Sequence, residues 1–169
     1  ALAHIHGAAP EVAELISGTA GSSPFLAELI RKEGHWLSHA LDEDPEEVIA
    51  ALIAETGTLD AGSIDAGLRK LKRRAALIVG LADLGGAWSL EQVTGALSDY
   101  ADAACGAALR AGLAIQIKRG KLPGMTEDDL AEEVGFFDGG GSGAGEGVVD
   151  EELEGFLAVF VGGVLYLRN

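Results

Sequence analysis

The chain has 169 residues, 48% of them hydrophobic and 23% charged, which is typical of one globular domain that folds in water. A net charge of −15 excludes general binding to nucleic acid, because a phosphate backbone would be repelled over most of the surface. No stretch reaches the roughly 18 consecutive apolar residues that a membrane span needs, and the single Cys105 cannot form an internal disulfide. We therefore expect a cytoplasmic protein with no nucleic-acid and no membrane partner.

Proline and glycine residues predict the boundaries of the first helices. Pro10 is suited to the first turn of a helix that we expect to end near Gly18. Ser23 is predicted to cap a second helix, which Gly34 would close. Residues 35–41 are then expected to form a separate short helical piece.

A third helix is predicted to begin at Asp44, because a capping carboxylate, a proline and two glutamates follow one another there. Gly57 is expected to end it. The three helices share apolar residues at helical spacing, which we expect to face the core. They are Val12, Leu15, Ile16, Phe25, Leu26, Leu29, Ile30, Val48, Ile49, Leu52 and Ile53.

A long basic helix is predicted to begin at Asp60 or Ser63. Its buried face is indicated by apolar residues three and four positions apart, and five of the chain's twelve basic residues lie within residues 69–74, mostly on its other faces. The Gly85–Gly86 pair should end it. The apolar residues are Leu68, Leu71, Ala75, Ile78 and either Leu81 or Ala82.

A second long helix is predicted to follow a corner at residues 85–88. Ser89 and Gln92 have the spacing of a capping box, in which each side chain satisfies the other residue's backbone N–H. The two helices would form an αα-hairpin. The inward stripe of the second helix is predicted to contain Val93, Leu97, Tyr100, Ala101, Ala104 and Ala108.

The character of the chain changes after Lys121. Thr126 and Asp129 suggest a short acidic helix through Val134, and residues 137–147 are a glycine-rich loop or linker. The last segment is ambiguous: it could be helical to Leu157, and its β-branched and aromatic residues favour a strand or hairpin.

We therefore predict an all-α fold, a multi-helix bundle with a long αα-hairpin, followed by the linker and a short C-terminal strand or hairpin. The predicted parts are a helical domain (1–122), an acidic helix with the linker (123–148) and a C-terminal segment (149–169).

Few residues suggest a metal or phosphate site. His35 and His39 are four apart, a spacing that could present two nitrogens to one metal, but no third ligand is evident beside them, and a structural or surface role is favoured. The glycine run 139–147 lacks the Lys and the following Ser or Thr of a phosphate loop. No catalytic and no metal-binding residue is predicted in the chain.

Residues 68–114 resemble the helical segment of the glutamine synthetase adenylyltransferase/adenylyl-removing enzyme family. The resemblance rests on DLGG at 83–86, LEQVT at 90–94 and LSDYADAA at 97–104. Upstream, GSSPFLA at 21–27 is similar to a Gly-Asn-Ser-Pro-Phe-Leu motif of the N-terminal half of these enzymes. The resemblance covers about residues 9–120.

The resemblance implies an enzyme that transfers AMP to and from a tyrosine of glutamine synthetase, using ATP and Mg²⁺, with glutamine synthetase and a PII-type signalling protein as partners. The family's Mg²⁺-binding carboxylates follow an opening Gly-x-Gly-Lys-Leu-Gly stretch. Residues 155–169 resemble that opening only faintly, lack the Lys and are followed by no Asp-x-Asp. We therefore expect a scaffold fragment that ends at the start of a truncated nucleotidyltransferase core and is inactive alone.

The basic cluster leaves two interpretations open. Arg69, Arg73 and Arg74 are the candidates for contact with the nucleotide, or they pair with acidic neighbours. The alternative is a non-enzymatic helical interaction module that docks an acidic partner through the basic face of residues 69–74.

Overall fold

The computed structural model of the chain describes residues 9–132, with side chains to residue 130. Within these residues all regular structure is α-helical, which confirms the all-α fold class for this part of the chain. The predicted linker and C-terminal strand or hairpin lie outside the described residues. The helices are α1 (Pro10–Ser22), α2 (Pro24–Ala40), α3 (Pro45–Gly57), α4 (Ile64–Leu84), α5 (Leu90–Lys118) and α6 (Asp129–Glu132).

The starts of the first three helices follow the predicted capping residues. A proline occupies the first turn of each, where a backbone N–H has no helical partner to lose. The Ser23 hydroxyl accepts a hydrogen bond from the N–H of Leu26 at 3.3 Å. The Asp44 carboxylate accepts one from the N–H of Glu46 at 2.8 Å, so both predicted caps are confirmed.

Two predicted helix ends are wrong. α1 continues past Gly18 to Ser22, and α2 continues through Gly34 to Ala40, so residues 35–40 belong to α2. A glycine inside a helix costs only about 1 kcal/mol relative to alanine. Beyond each glycine the helix buries a residue, Thr19 in α1 and Leu37 in α2, and this burial outweighs the cost. The predicted end of α3 at Gly57 is confirmed.

α4 is the central helix, since it packs against α1, α2 and α3. All its predicted inward residues are buried, and Leu77 and Val79 are buried as well, because neighbours surround more than one of its faces. The approach to α2 is close. A Cβ atom added at Gly80 would lie 3.1 Å from a methyl carbon of Leu26, so the glycine lets the two helices pack tightly.

The corner between α4 and α5 is built as predicted. Gly86 has a φ of 67°, the left-handed conformation that favours glycine after a helix. The N–H of Ser89 donates to Gln92 Oε1 at 2.9 Å, and the N–H of Gln92 donates to Ser89 Oγ at 3.3 Å. The capping box is therefore confirmed, and Trp88 is buried at the corner.

The predicted inward stripe of α5 is confirmed at Tyr100, Ala104 and Ala108, is only half-buried at Val93 and Ala101, and is wrong at Leu97. Tyr100, Ala104 and Ala108 are buried, whereas Leu97 is 43% exposed. Leu97 lies at nearly the same angle around the helix as Ala104, seven residues later. Its exposure therefore arises because the described helices cover α5 at Tyr100, Ala104 and Ala108 and leave its first turns uncovered, as Leu90 at 76% exposure also shows.

Phe25 was also predicted to face the core and is 49% exposed. It lies in the first turn of α2, immediately after the proline. The neighbouring Leu26 takes the inward position against Gly80.

The chain divides into two compact units between Ala108 and Leu109, within α5. The described part of the second unit contains the end of α5, a left-handed Gly120 and the short α6. Both the N–H and the hydroxyl of Thr126 donate to Asp129 Oδ2, at 2.6 and 2.8 Å, as expected for the predicted start of an acidic helix. Its predicted end at Val134 lies outside the described residues.

Leu97 and Ala104 provide a matched pair for testing how α5 is covered. We expect Leu97→Asp to change the unfolding free energy by less than about 0.5 kcal/mol, because an exposed carboxylate stays hydrated. Ala104, with no exposed surface, should not tolerate Ala104→Asp, which buries an unpaired charge. Urea denaturation followed by circular dichroism measures both. Unfolding of the Leu97→Asp variant would mean that the start of α5 is covered after all.

Candidate functional site

Four basic side chains of residues 69–74 have acidic partners. Arg69 pairs with Asp65 one turn earlier on α4. Lys70 Nζ lies 3.0 Å from Glu55 Oε1 of α3. Arg73 and Arg74 both pair with one residue of α2, Glu33. Much of the positive charge of α4 is thus neutralised by three carboxylates, one each on α2, α3 and α4 itself.

The Glu33 pairing joins α2 to α4. Arg73 Nε donates to Glu33 Oε1 at 2.8 Å, and Arg74 Nε donates to Glu33 Oε2 at 3.0 Å. The Glu33 side chain is only 7% exposed, and both of its oxygens are satisfied. The guanidinium of Arg74 lies over the Trp36 ring, 4.8 Å from its centre, within cation–π range. We call these four residues the Glu33 cluster.

Helical spacing explains how the cluster is assembled. Glu33 and Trp36 are three residues apart, so they lie on one face of α2. Arg73 and Arg74 are consecutive on α4 and diverge by about 100° around its axis, so one can reach each carboxylate oxygen. Because α2 and α4 pack together, the four side chains meet at their interface.

The charges of the two arginines decide the ionisation of Glu33. Burial by itself would raise the pKa of Glu33, but the hydrogen bonds and positive charges of Arg73 and Arg74 together outweigh burial, and the net pKa lies below its ordinary value. Glu33 is therefore ionised at neutral pH. The site is a fixed carboxylate held between two cations, an arrangement suited to joining helices and not to moving a proton.

A second buried polar contact joins α5 to the bundle. The Tyr100 hydroxyl lies 3.5 Å from the Leu68 carbonyl oxygen of α4, across 32 residues of sequence. The Thr56 hydroxyl of α3 is fully buried and donates to the Leu52 carbonyl at 2.8 Å. Burial raises the pKa of Tyr100 to about 12, and its contact with the Thr56 hydroxyl opposes only part of the rise. Tyr100 is therefore a neutral, structural phenol that links the two helices of the predicted αα-hairpin.

The basic half of the Glu33 cluster was predicted from the sequence, and the acidic half was not. Pairing with acidic neighbours was one expectation for Arg69, Arg73 and Arg74, and the structure places a carboxylate beside each. Contact of these arginines with a nucleotide stays a prediction. Glu33 was not among the candidate residues, although it follows Leu26, Leu29 and Ile30 on the apolar stripe of α2, where an acidic residue indicates a buried partner.

The described residues contain no group of three or more His, Cys, Asp or Glu side chains that could hold a metal ion. These residues therefore do not fit the Mg²⁺ site that the family resemblance implies. His35 and His39 are both exposed on α2, with ring centres 5.2 Å apart. In the same part of the chain, no helix is long and apolar enough to cross a membrane.

Comparison with known proteins decides the family. Residues 1–146 match the family model described as "Glutamate-ammonia ligase adenylyltransferase". The chain belongs to this family. The resemblance found in the sequence motifs is thereby confirmed, and the match includes the whole Glu33 cluster and every helix from α1 to α6.

Curated adenylyltransferase relatives carry the name "Bifunctional glutamine synthetase adenylyltransferase/adenylyl-removing enzyme". The one from Caulobacter vibrioides is 37% identical over 120 residues, which are 69% of this chain and 12% of the relative. The one from Xanthobacter autotrophicus is 38% identical over 132 residues, 76% of this chain and 13% of the relative.

A third, from Bradyrhizobium sp. strain ORS 278, is 42% identical over 113 residues, 64% of this chain and 12% of the relative. The chain thus spans 12–13% of the length of these relatives. No solved structure matches it.

Removing the charge of Glu33 should destabilise the folded chain. Glu33→Gln leaves two arginines facing an amide that cannot neutralise them, and we expect a loss of about 1–3 kcal/mol of unfolding free energy, less than for a fully buried pair because Arg73 is partly exposed. Glu28→Gln is the matched control, since Glu28 pairs with Arg31 and Lys32 of the same helix in solvent. It should change the unfolding free energy far less, because exposed ion pairs contribute little to stability. Equal losses in urea denaturation would contradict the structural role of Glu33.

The contribution of Glu33 should depend on pH with a definite sign. Because the folded-state pKa is below the unfolded one, the stabilisation is complete above the unfolded value of about 4.3 and is lost as pH falls through the folded value. Urea denaturation of wild type and Glu33→Gln at several pH values isolates the contribution of Glu33 to stability, because all other groups titrate in both proteins. The difference in unfolding free energy between wild type and Glu33→Gln should be constant above about pH 5 and shrink on acidification. A difference that grows in acid would contradict a lowered pKa of Glu33 in the folded state.

Proposed function

We propose that the described helices form a supporting frame in an enzyme that adds AMP to glutamine synthetase and removes it. The proposal rests on the family to which the chain belongs and on the names of its bifunctional relatives. The observation that carries the frame role is the Glu33 cluster, in which buried ion pairs fix α2 against α4.

In this proposal ATP supplies the AMP group, Mg²⁺ balances the charge of the nucleotide phosphates, and a tyrosine of glutamine synthetase accepts or releases the AMP. The carboxylates that would hold Mg²⁺ belong to parts of the enzyme outside this chain, which alone would be inactive. A PII-type protein is a proposed regulatory partner, and the cytoplasm is the proposed location. The role of this chain is to hold helices in fixed positions, because transfer requires reacting groups to be oriented within a fraction of an ångström.

The ion pairs favour the frame over the alternative interaction module. A docking face for an acidic partner needs uncompensated positive charge. Arg69, Arg73 and Arg74 each lie against a carboxylate of this chain, so an incoming acidic partner would have to compete with these contacts. The same pairing limits the charge that these arginines can offer to a nucleotide.

A chimera provides the test. The segment of the Caulobacter vibrioides enzyme that aligns with this chain would be replaced by the corresponding residues of this chain, and transfer of labelled AMP from ATP to glutamine synthetase would be measured with Mg²⁺. We expect the chimera to be active and the isolated 169-residue chain to show no transfer.

Within the chimera, Glu33→Gln should lower the turnover rate by up to about 100-fold, because a misplacement of about 1 Å has that effect. Glu28→Gln, with its solvent-exposed ion pairs, should leave the rate unchanged. Transfer by the isolated chain, or a folded chimera whose rate is insensitive to Glu33→Gln, would contradict the proposed frame.

A further inference from the structure

The pair His35 and His39 presents two imidazole rings on the outer face of α2. They are one helical turn apart, both are exposed, and their ring centres are 5.2 Å apart with 65° between the ring planes. Neither ring takes part in the Glu33 cluster or in the core. The four-residue spacing of the histidines in the sequence favoured a surface role. The structure adds the distance between the two rings.

This separation is the one that a shared zinc ion requires. A zinc ion bound to an imidazole nitrogen at about 2.0–2.1 Å lies about 3.2 Å from the ring centre. Two rings bound at a tetrahedral angle therefore have centres about 5.2 Å apart, which equals the observed separation. The ring centres can therefore keep their observed separation when both imidazoles bind one ion, and rotation of the rings is what turns a nitrogen of each toward it.

The charges around the pair also favour a cation. Asp42, Glu43 and Asp44 are exposed directly after α2, and the N–H of Asp42 donates to the His39 carbonyl oxygen at 3.2 Å, which keeps this acidic run beside the second histidine. Arg31 and Lys32, one turn before His35, are both paired with Glu28. Glu28 neutralises one of these two positive charges, and the three acidic residues of the run outweigh the one that is left.

We propose that His35 and His39 form a two-ligand site for zinc. Imidazole nitrogen is a preferred ligand of zinc, whereas Mg²⁺ prefers oxygen. The described residues bring no third His, Cys, Asp or Glu side chain into a group with the pair. Two positions of a tetrahedral ion thus stay open to water, and the ion exchanges readily. This site is independent of the proposed adenylyl transfer and of its Mg²⁺.

Calorimetric titration of zinc chloride into the 169-residue chain tests the site. The reference protein carries His4→Ala and His6→Ala, so that the only histidines left are His35 and His39. It should bind one zinc ion. Adding His35→Ala or His39→Ala should weaken zinc binding by about tenfold or more, because a single imidazole binds the ion less tightly than two imidazoles on the same helix. The two variants should lose a similar amount of affinity.

Two controls test whether the two imidazoles themselves bind the zinc ion. Circular dichroism should show unchanged helix content in all variants, because both side chains are exposed. A tenfold excess of MgCl₂ should leave the zinc titration unchanged, whereas binding by the carboxylates of residues 42–44 would be competed away. Absence of zinc binding in the reference protein, affinity unaffected by His35→Ala or His39→Ala, or displacement by Mg²⁺ would each overturn the proposal.

Discussion

The buried carboxylate of Glu33 is the polar contact on which the arrangement of α2 and α4 depends. A carboxylate that is 7% exposed would be costly without partners, and two arginines of the neighbouring helix supply both hydrogen bonds and compensating charge. An ion pair of this kind constrains register, because sliding α4 by one residue along α2 would separate Glu33 from at least one arginine. Arg74 is held further by the face of Trp36, so its guanidinium is fixed on two sides.

The apolar core reinforces the same register. α4 is buried on several faces because three helices pack around it, and at Gly80 the absence of a Cβ lets Leu26 of α2 come close. Leu26 also follows the Ser23 cap that begins α2, so the start of that helix and its contact with α4 lie within one turn. Residues 21–27, which carry part of the family resemblance, thus supply a helix cap, the start of α2 and a core contact, whereas Phe25 lies at the surface.

This organisation accounts for a strongly basic segment in a protein with a net charge of −15. A run of five cations in six residues suggests an anion-binding surface when it is seen in sequence. In the folded chain four of them lie beside carboxylates from α2, α3 or α4 itself, so much of their charge is used internally. This internal neutralisation is consistent with the proposed frame role, because a supporting segment would need rigid helices more than a charged surface of its own.

The sequence by itself determined the all-α class of the described part, the caps at Ser23, Asp44 and Ser89, the left-handed corner and the family, because capping, glycine geometry and motif order are local properties of neighbouring residues. It placed two helix ends wrongly, at Gly18 and Gly34, because the cost of a glycine is local and the burial that outweighs it comes from other helices. Only the tertiary structure decided that Leu97 is exposed and that Glu33 is the partner of Arg73 and Arg74. Helical periodicity fixes the angle at which a residue points. The packing of the helices decides how much of a helix is covered and which charged residue, 40 positions away in the sequence, lies beside it.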